Sequence, residues 1–286
     1  MNKGYAKGML VMAASSVLFA AMSMLVPLAK GASTSVVTAA RFITGILIIT
    51  GFAASGITRL TAKNRLWLIV RGVIGAASVY LFFRAIVTLG LGKGTILNHT
   101  YPIFAALLAP LMLRERLHLD VLAAIGVSFV GIYLVLNPGN IFSVGIEGLL
   151  GLLGGALSGV AVVAIKKLRE TDSPYMIYLA QCVFGMLVVA YPTATGSFAF
   201  TSITWLTLLG IGLLATAAQL LMTWAYKHVP ATEGSLLAFL VPVLNVILGV
   251  IVFSETMSPA TIAGSALVFV SCVYVAFREK IIRLAR

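Results

Sequence analysis

Of the chain's 286 residues, 60% are hydrophobic and only 10% charged, whereas a soluble domain is roughly a quarter charged. That balance excludes a soluble globular fold and points to an integral membrane protein. The formal charge of +12 would suggest nucleic acid in a soluble chain, but here the basic residues cluster in short breaks beside apolar runs, where membrane topology accounts for them and no nucleic-acid partner is implied.

A helix rising 1.5 Å per residue needs about 20 apolar residues to cross the hydrocarbon core. Ten such runs are predicted, at 8–28, 34–55, 66–88, 94–113, 119–136, 147–166, 174–195, 202–226, 232–253 and 259–277. The first follows Lys3 and Lys7, and its length suits a span better than the short apolar region of a signal peptide. The breaks are short and carry turn chemistry, among them Lys30-Gly31-Ala32-Ser33, Gly90-Leu91-Gly92, Asn137-Pro138-Gly139-Asn140, Asp172-Ser173-Pro174 and Ser258-Pro259. None is long enough for a soluble domain. Cys182 and Cys272 lie inside apolar runs as small hydrophobes and point to neither a redox compartment nor a metal. No cofactor is expected.

Cytoplasmic loops are enriched in Lys and Arg, and placing the N-terminus inside gives the inner segments 16 of the 20, Arg71 counted among them. The outer loops then hold only Lys30 and Lys93, and Arg41 and Arg84 fall within spans. Both termini are expected in the cytoplasm, with the protein in the cell (inner) membrane. All eight acids lie at or near the ends of the apolar runs, so no span carries a deeply placed carboxylate.

The stretch from Gly92 to Leu117 is matched by Thr232 to Met257: a shift of 140 residues pairs Gly94 with Gly234, Leu97 with Leu237, Pro102 with Pro242, Leu108 with Leu248 and Glu115 with Glu255. This internal repeat divides the chain into 1–137 and 138–286, five spans each. Five is odd, so the second unit enters the membrane from the opposite side and the repeat is inverted, an arrangement characteristic of secondary transporters with a substrate site near the midplane.

Ala85, Gly94, Pro102 and Leu113-x-Glu115 in the first unit, with Ala225, Gly234, Pro242 and Phe253-x-Glu255 in the second, resemble the ten-helix EamA-like branch of the drug/metabolite transporter superfamily. The resemblance covers nearly the whole chain. It implies an all-α membrane fold of two five-helix inverted repeats and a central cavity lined mainly by spans 1, 3, 4, 6, 8 and 9. It also implies transport of a small metabolite, often amino-acid efflux.

Several residues are candidates for the site. Asn98 and Tyr101 share a helix face with Ala105, and Ala238, Val241 and Asn245 form the corresponding face of the second unit. An amide facing lipid is costly, so Asn98 and Asn245 are expected to face inward, for substrate or for a neighbouring helix. His99 is the one histidine inside a predicted span and is a candidate proton carrier or a packing group. Arg84 and Arg41 have no acid embedded beside them, leaving a substrate anion or backbone carbonyls as partners, although Arg84 is close enough to its span end to snorkel. Tyr80 flanks Arg84, and Ser15 and Gln219, with Ser16 and Ser158, are candidate polar lining. Pro102 and Pro242 each remove a helical hydrogen bond and are candidate hinges or kinks. Glu115 and Glu255 are expected to be structural, capping a following helix or meeting a cation at a helix end. The glycines of span 6, from Gly148 to Gly159, suggest close helix approach.

No H-E-x-x-H, G-x-S-x-G, paired intramembrane aspartates or Cys/His metal spacing occurs, so no enzyme is expected. The reading is a carrier for a small polar metabolite, export of an amino-acid-like solute being favoured. Uptake or exchange of another metabolite, phosphorylated and nucleotide-linked solutes included, is the alternative within that class; a scaffold or receptor lies outside it. Partners are a small-molecule substrate and the lipid bilayer.

Overall fold

The computed structural model describes residues 3–101, 103–105, 108, 119–136, 145–196, 198–228, 238 and 240–284. Among these, ten helices follow the ten predicted runs: α1 (Lys3–Leu25), α2 (Thr34–Ala54), α3 (Arg65–Leu89), α4 (Leu91–Asn98), α5 (Leu119–Leu136), α6 (Ile146–Leu168), α7 (Pro174–Ala194), α8 (Ser202–Ala225), α9 (Leu240–Phe253) and α10 (Pro259–Leu284). Six of them, α1, α2, α3, α6, α7 and α8, are long and apolar enough to cross a bilayer, with shorter apolar helical stretches at Gly126–Val135, Leu240–Phe253 and Pro259–Ser271. Helical residues continue past α4 at Tyr101, 103–105 and Leu108.

The breaks start helices through side-chain caps, because the first turn has backbone N–H groups with no partner of their own. Ser33 accepts from Val36 N, Asn64 from Trp67 N, Ser173 from Met176 N and Thr201 from Thr204 N. Ser258 accepts from Thr261 N at 3.1 Å, ahead of α10. Asp172, buried between α6 and α7, accepts from Lys63 N at 2.8 Å and Asn64 N at 3.4 Å and so ties the α2–α3 break to the α6–α7 break. Large apolar side chains such as Leu10, Leu187 and Ile251 remain on the outside, as a lipid-facing surface requires.

The repeat recurs in the packing. α3 packs on α6 and α1 on α8; α5 packs on α10, α2 on α7 and α4 on α9. The close approaches keep the 140-residue shift. A Cβ on Gly72 would collide with Phe184, and one on Gly212 with Thr44; a Cβ on Gly45 would collide with Cys182, and one on Gly185 with Phe42. In each pair both partners are displaced by the same interval. α5 and α10 meet backbone to backbone at Gly131 and Gly264, where either Cβ would clash with the other's carbonyl oxygen. Gly151 of α6 lies against Leu97, Gly155 against Leu97, Asn98 and Thr100, and Gly159 against Tyr101, Phe104 and Ala105, close helix approach as the sequence suggested.

The α3–α4 connection is a single residue, Gly90, whose φ of 90° favours glycine. Beyond it α4 folds back so closely that a Cβ on Gly94 would lie 2.6 Å from the Ala85 carbonyl carbon. α4 therefore begins at Leu91, three residues before the predicted start. Its first turn is capped from the other half of the chain: the Glu255 carboxylate accepts from Leu91 N and, at 3.0 Å, from Gly92 N. Glu255 thus caps a helix far earlier in the chain, and not the helix that follows it. Glu115 and Pro102 lie outside the described residues.

Candidate functional site

A cavity of about 130 Å³ lies inside the bundle. α1 contributes Ser15, Ser16 and Phe19; α3 contributes Arg71, Gly75, Ser78 and Phe82; α6 contributes Ser158. Gln219 comes from α8, Asn98, His99 and Tyr101 from α4 and the turn after it, and Ala238 and Val241 from the beginning of the α9 segment. These are the helices that the resemblance implied. α2 and α7 were not expected, yet they deliver Arg41 and Gln181 to the same wall.

Hydrogen bonds orient the polar lining. Asn98 Nδ2 donates to Ser158 Oγ at 3.3 Å, and the Ser158 and Ser78 hydroxyls lie 2.5 Å apart, a polar string across α4, α6 and α3. Ser15 donates to the Ala218 carbonyl at 2.7 Å, Gln219 Nε2 to Thr223 Oγ1 at 3.4 Å, and His99 Nδ1 lies 3.0 Å from the Thr95 carbonyl.

Two buried arginines dominate the electrostatics. Arg71 sits two turns inside α3, which begins at Arg65, and is only 3% exposed, so it belongs to the bundle interior and not to an inner loop as the charge count expects. Its Nη2 donates to Gln181 Oε1 at 2.8 Å, and Gln181 Nε2 donates to the Gly75 carbonyl at 3.1 Å, which fixes the amide with its oxygen toward the guanidinium. Gly75 is bare because Arg71 lies across it. Arg41, also 3% exposed, lies over Phe19 and Phe83 with its guanidinium 6.0 and 5.8 Å from their ring centroids, and its Nη1 is 3.7 Å from Met22 Sδ. The Nε atoms of both arginines are buried without a hydrogen-bond partner. Arg41 and Gln181 are again 140 residues apart, so one position of the repeat supplies a cation in the first half and the amide that holds the other cation in the second. Among the described lining residues there is no carboxylate.

Of the candidates, Asn98, Tyr101, His99, Gln219 and Ser15 line this cavity; Arg84, Tyr80 and Asn245 do not. Arg84 has an acid after all: its Nε and Nη2 meet Glu147 Oε2 and Oε1 at 2.8 and 2.5 Å, a bidentate pair made possible by α3 packing on α6. Tyr80 lies beside Arg84 and packs against the apolar core around Phe42 and Phe83. Asn245 is wholly buried and donates to Thr95 Oγ1 at 3.0 Å, a link between α9 and α4. The two equivalent helix faces therefore reach the cavity through Asn98 and Tyr101 on one side and Ala238 and Val241 on the other, and Asn245, one turn further, faces α4. Pro242 is buried and lines a separate, apolar groove of about 270 Å³ against α10, which shares only His99 with the cavity.

An all-helical bundle of apolar spans, built from two related halves around an interior cavity with polar and cationic groups in its wall, is the architecture of a membrane transporter. The chain belongs to the EamA-like transporter family, whose profile matches residues 6–137 and 146–277. It is 29% identical over 279 residues to the pseudopaline exporter CntI of Pseudomonas aeruginosa, covering 96% of this chain and 97% of that protein. It is 23% identical to solute carrier family 35 member G1 of Mus musculus, over 90% of this chain and 74% of the other. A solved crystal structure superposes with a TM-score of 0.64 at 18% identity, covering 94% of this chain and 97% of that one, and supports the fold.

Proposed function

We propose that this protein is a secondary-type carrier that exports a small polar, amino-acid-like metabolite across the cytoplasmic membrane by alternating access. One observation carries the reading: a cavity lined by residues of both halves lies inside the bundle and gathers Ser15, Ser78, Asn98, Ser158, Gln181 and Gln219 with two buried arginines on its wall. A structural core would be filled there with apolar side chains, whereas a carrier needs polar groups that a solute can use and water can replace. Kinship to a named exporter across nearly the full length supports the direction. No carboxylate lines the described cavity to carry a proton, so transport is of the facilitated or exchange type unless His99, which lines it, is the proton carrier. Both termini lie in the cytoplasm, Pro102 and Pro242 serve as pivots, and the halves 1–137 and 138–286 rock about the cavity.

Counterflow in proteoliposomes tests this reading. Vesicles preloaded with unlabelled amino acids should take up labelled ones saturably and only when the protein is present. Flux equal to that of protein-free vesicles, alongside demonstrable solute binding, would overturn transport in favour of a receptor.

A further inference from the structure

We infer that the cavity selects a dianion: a small solute bearing two carboxylates, or one phosphate group, held between Arg41 and Arg71. This deepens the transporter reading and rests on it only in taking the cavity to be a solute site.

The protein shows within itself what a structural arginine looks like. Arg84 is partly exposed, and both edges of its guanidinium are matched by Glu147. Arg41 and Arg71 are more deeply buried, yet neither has an acid within ion-pairing distance among the described residues. An unpaired charge taken out of water is strongly unfavourable. The partners they do have are neutral. Gln181 aims Arg71, and the Phe19 and Phe83 rings carry Arg41, so both cations are held in place without being neutralised. Each also keeps a buried Nε–H with no acceptor. An Nε–H beside an Nη–H is the edge that grips a carboxylate or phosphate with two parallel hydrogen bonds. Both arginines line the one cavity.

The rest of the wall agrees. Asn98, Ser158 and Ser78 supply hydrogen-bonding groups without charge, and no described lining group would hold an ammonium by ionic pairing. A solute with one carboxylate and one ammonium compensates one arginine and leaves the other bare. A solute with two negative charges compensates both.

The test is a binding titration of purified protein in detergent against near-isosteric acid and amide pairs, glutamate with glutamine and succinate with succinamide, together with phosphoserine beside serine, and inorganic phosphate alone. The acid of a pair should bind about 10- to 100-fold more tightly than its neutral partner, the range expected from hydrogen bonds to charged groups. Raising salt should narrow the difference, and it should shrink in both Arg41→Gln and Arg71→Gln while Arg84→Gln retains it. Binding of phosphate and phosphoserine with the carboxylates silent assigns the dianion to phosphate; the reverse assigns it to a dicarboxylate. Should either variant fail to fold, the acid and neutral pairs and their salt dependence on the unaltered protein still decide. Neutral partners binding as tightly as the acids, a preference that survives both substitutions, or no binding across the panel overturns the inference. Dianion binding without vesicle flux would leave the dianion site standing and sink transport, and flux of the amides alone would do the opposite.

Discussion

Replacing Glu255 by alanine probes the contact that joins the end of α9 to the start of α4. The carboxylate accepts from Leu91 N and Gly92 N, and the Glu255 backbone is itself anchored by a 3.0 Å hydrogen bond to the Gly249 carbonyl. Gly90, Gly92 and Gly249 crowd around it so closely that a Cβ on any of them would touch the carboxylate. Hydrogen bonds to charged groups contribute about 1.5–3 kcal/mol each. Glu255 is only half-buried, so water reaches the vacated amides and the net loss falls to about 1–3 kcal/mol in all. That corresponds to an opening equilibrium about 5- to 150-fold larger for this corner. Hydrogen-exchange mass spectrometry in detergent should show the peptide containing Leu91 and Gly92 exchanging faster by that factor in Glu255→Ala and less so in Glu255→Gln, which keeps one acceptor oxygen. The Ser33-capped start of α2 serves as the control. Unchanged exchange at Leu91–Gly92, or equal acceleration at both helix starts, would refute the capping argument.

Arg84→Ala should leave solute binding unchanged and lower stability by under about 1 kcal/mol, since its pair with Glu147 is partly exposed; a double-mutant cycle with Glu147→Ala measures the coupling, and loss of binding would contradict the geometry. Asn98→Ala should weaken solute binding because its amide faces the cavity, whereas Asn245→Ala should cost about 0.5–1.5 kcal/mol of stability through the lost Thr95 contact and leave affinity intact. Thermal melts beside binding titrations separate the two outcomes. Gly94→Ala, which drives a Cβ into the Ala85 backbone, should destabilise by about 1–3 kcal/mol. Gly51→Ala, where a Cβ meets nothing within 4 Å, should stabilise α2 by about 0.5–1 kcal/mol, read as a higher melting midpoint.

Much of the architecture was legible because membrane spans announce themselves by length and apolarity, and the repeat announces itself by Pro102/Pro242 and Glu115/Glu255. The charged interior was harder to read. Arg71 lies close enough to a span start that charge counting takes it for a loop residue, although Arg71, Gly75 and Ser78 follow helical spacing and mark one small, polar face of α3. Arg84 looked equally intramembrane and unpaired because nothing in the local sequence says that α3 packs on α6 and meets Glu147. The asparagine face was half legible: a 140-residue shift finds equivalent positions, but which turn of a face reaches the cavity depends on where the helices cross. Gln181 was legible in principle as the equivalent of Arg41, a pairing of unlike residues that a search for matching ones passes over.

The reciprocal collisions at Gly45, Gly72, Gly185 and Gly212 mean that each half completes the other's helix packing. A gene cut between residues 137 and 138 would therefore yield two fragments with mutual dependence: either alone would display glycine-scored grooves to lipid, and together in one membrane they would have matching grooves to fill. Such fragments would also have to be inserted with opposite orientation before they could meet. The covalent link thus guarantees that two oppositely inserted partners are present in equal number and in the same place.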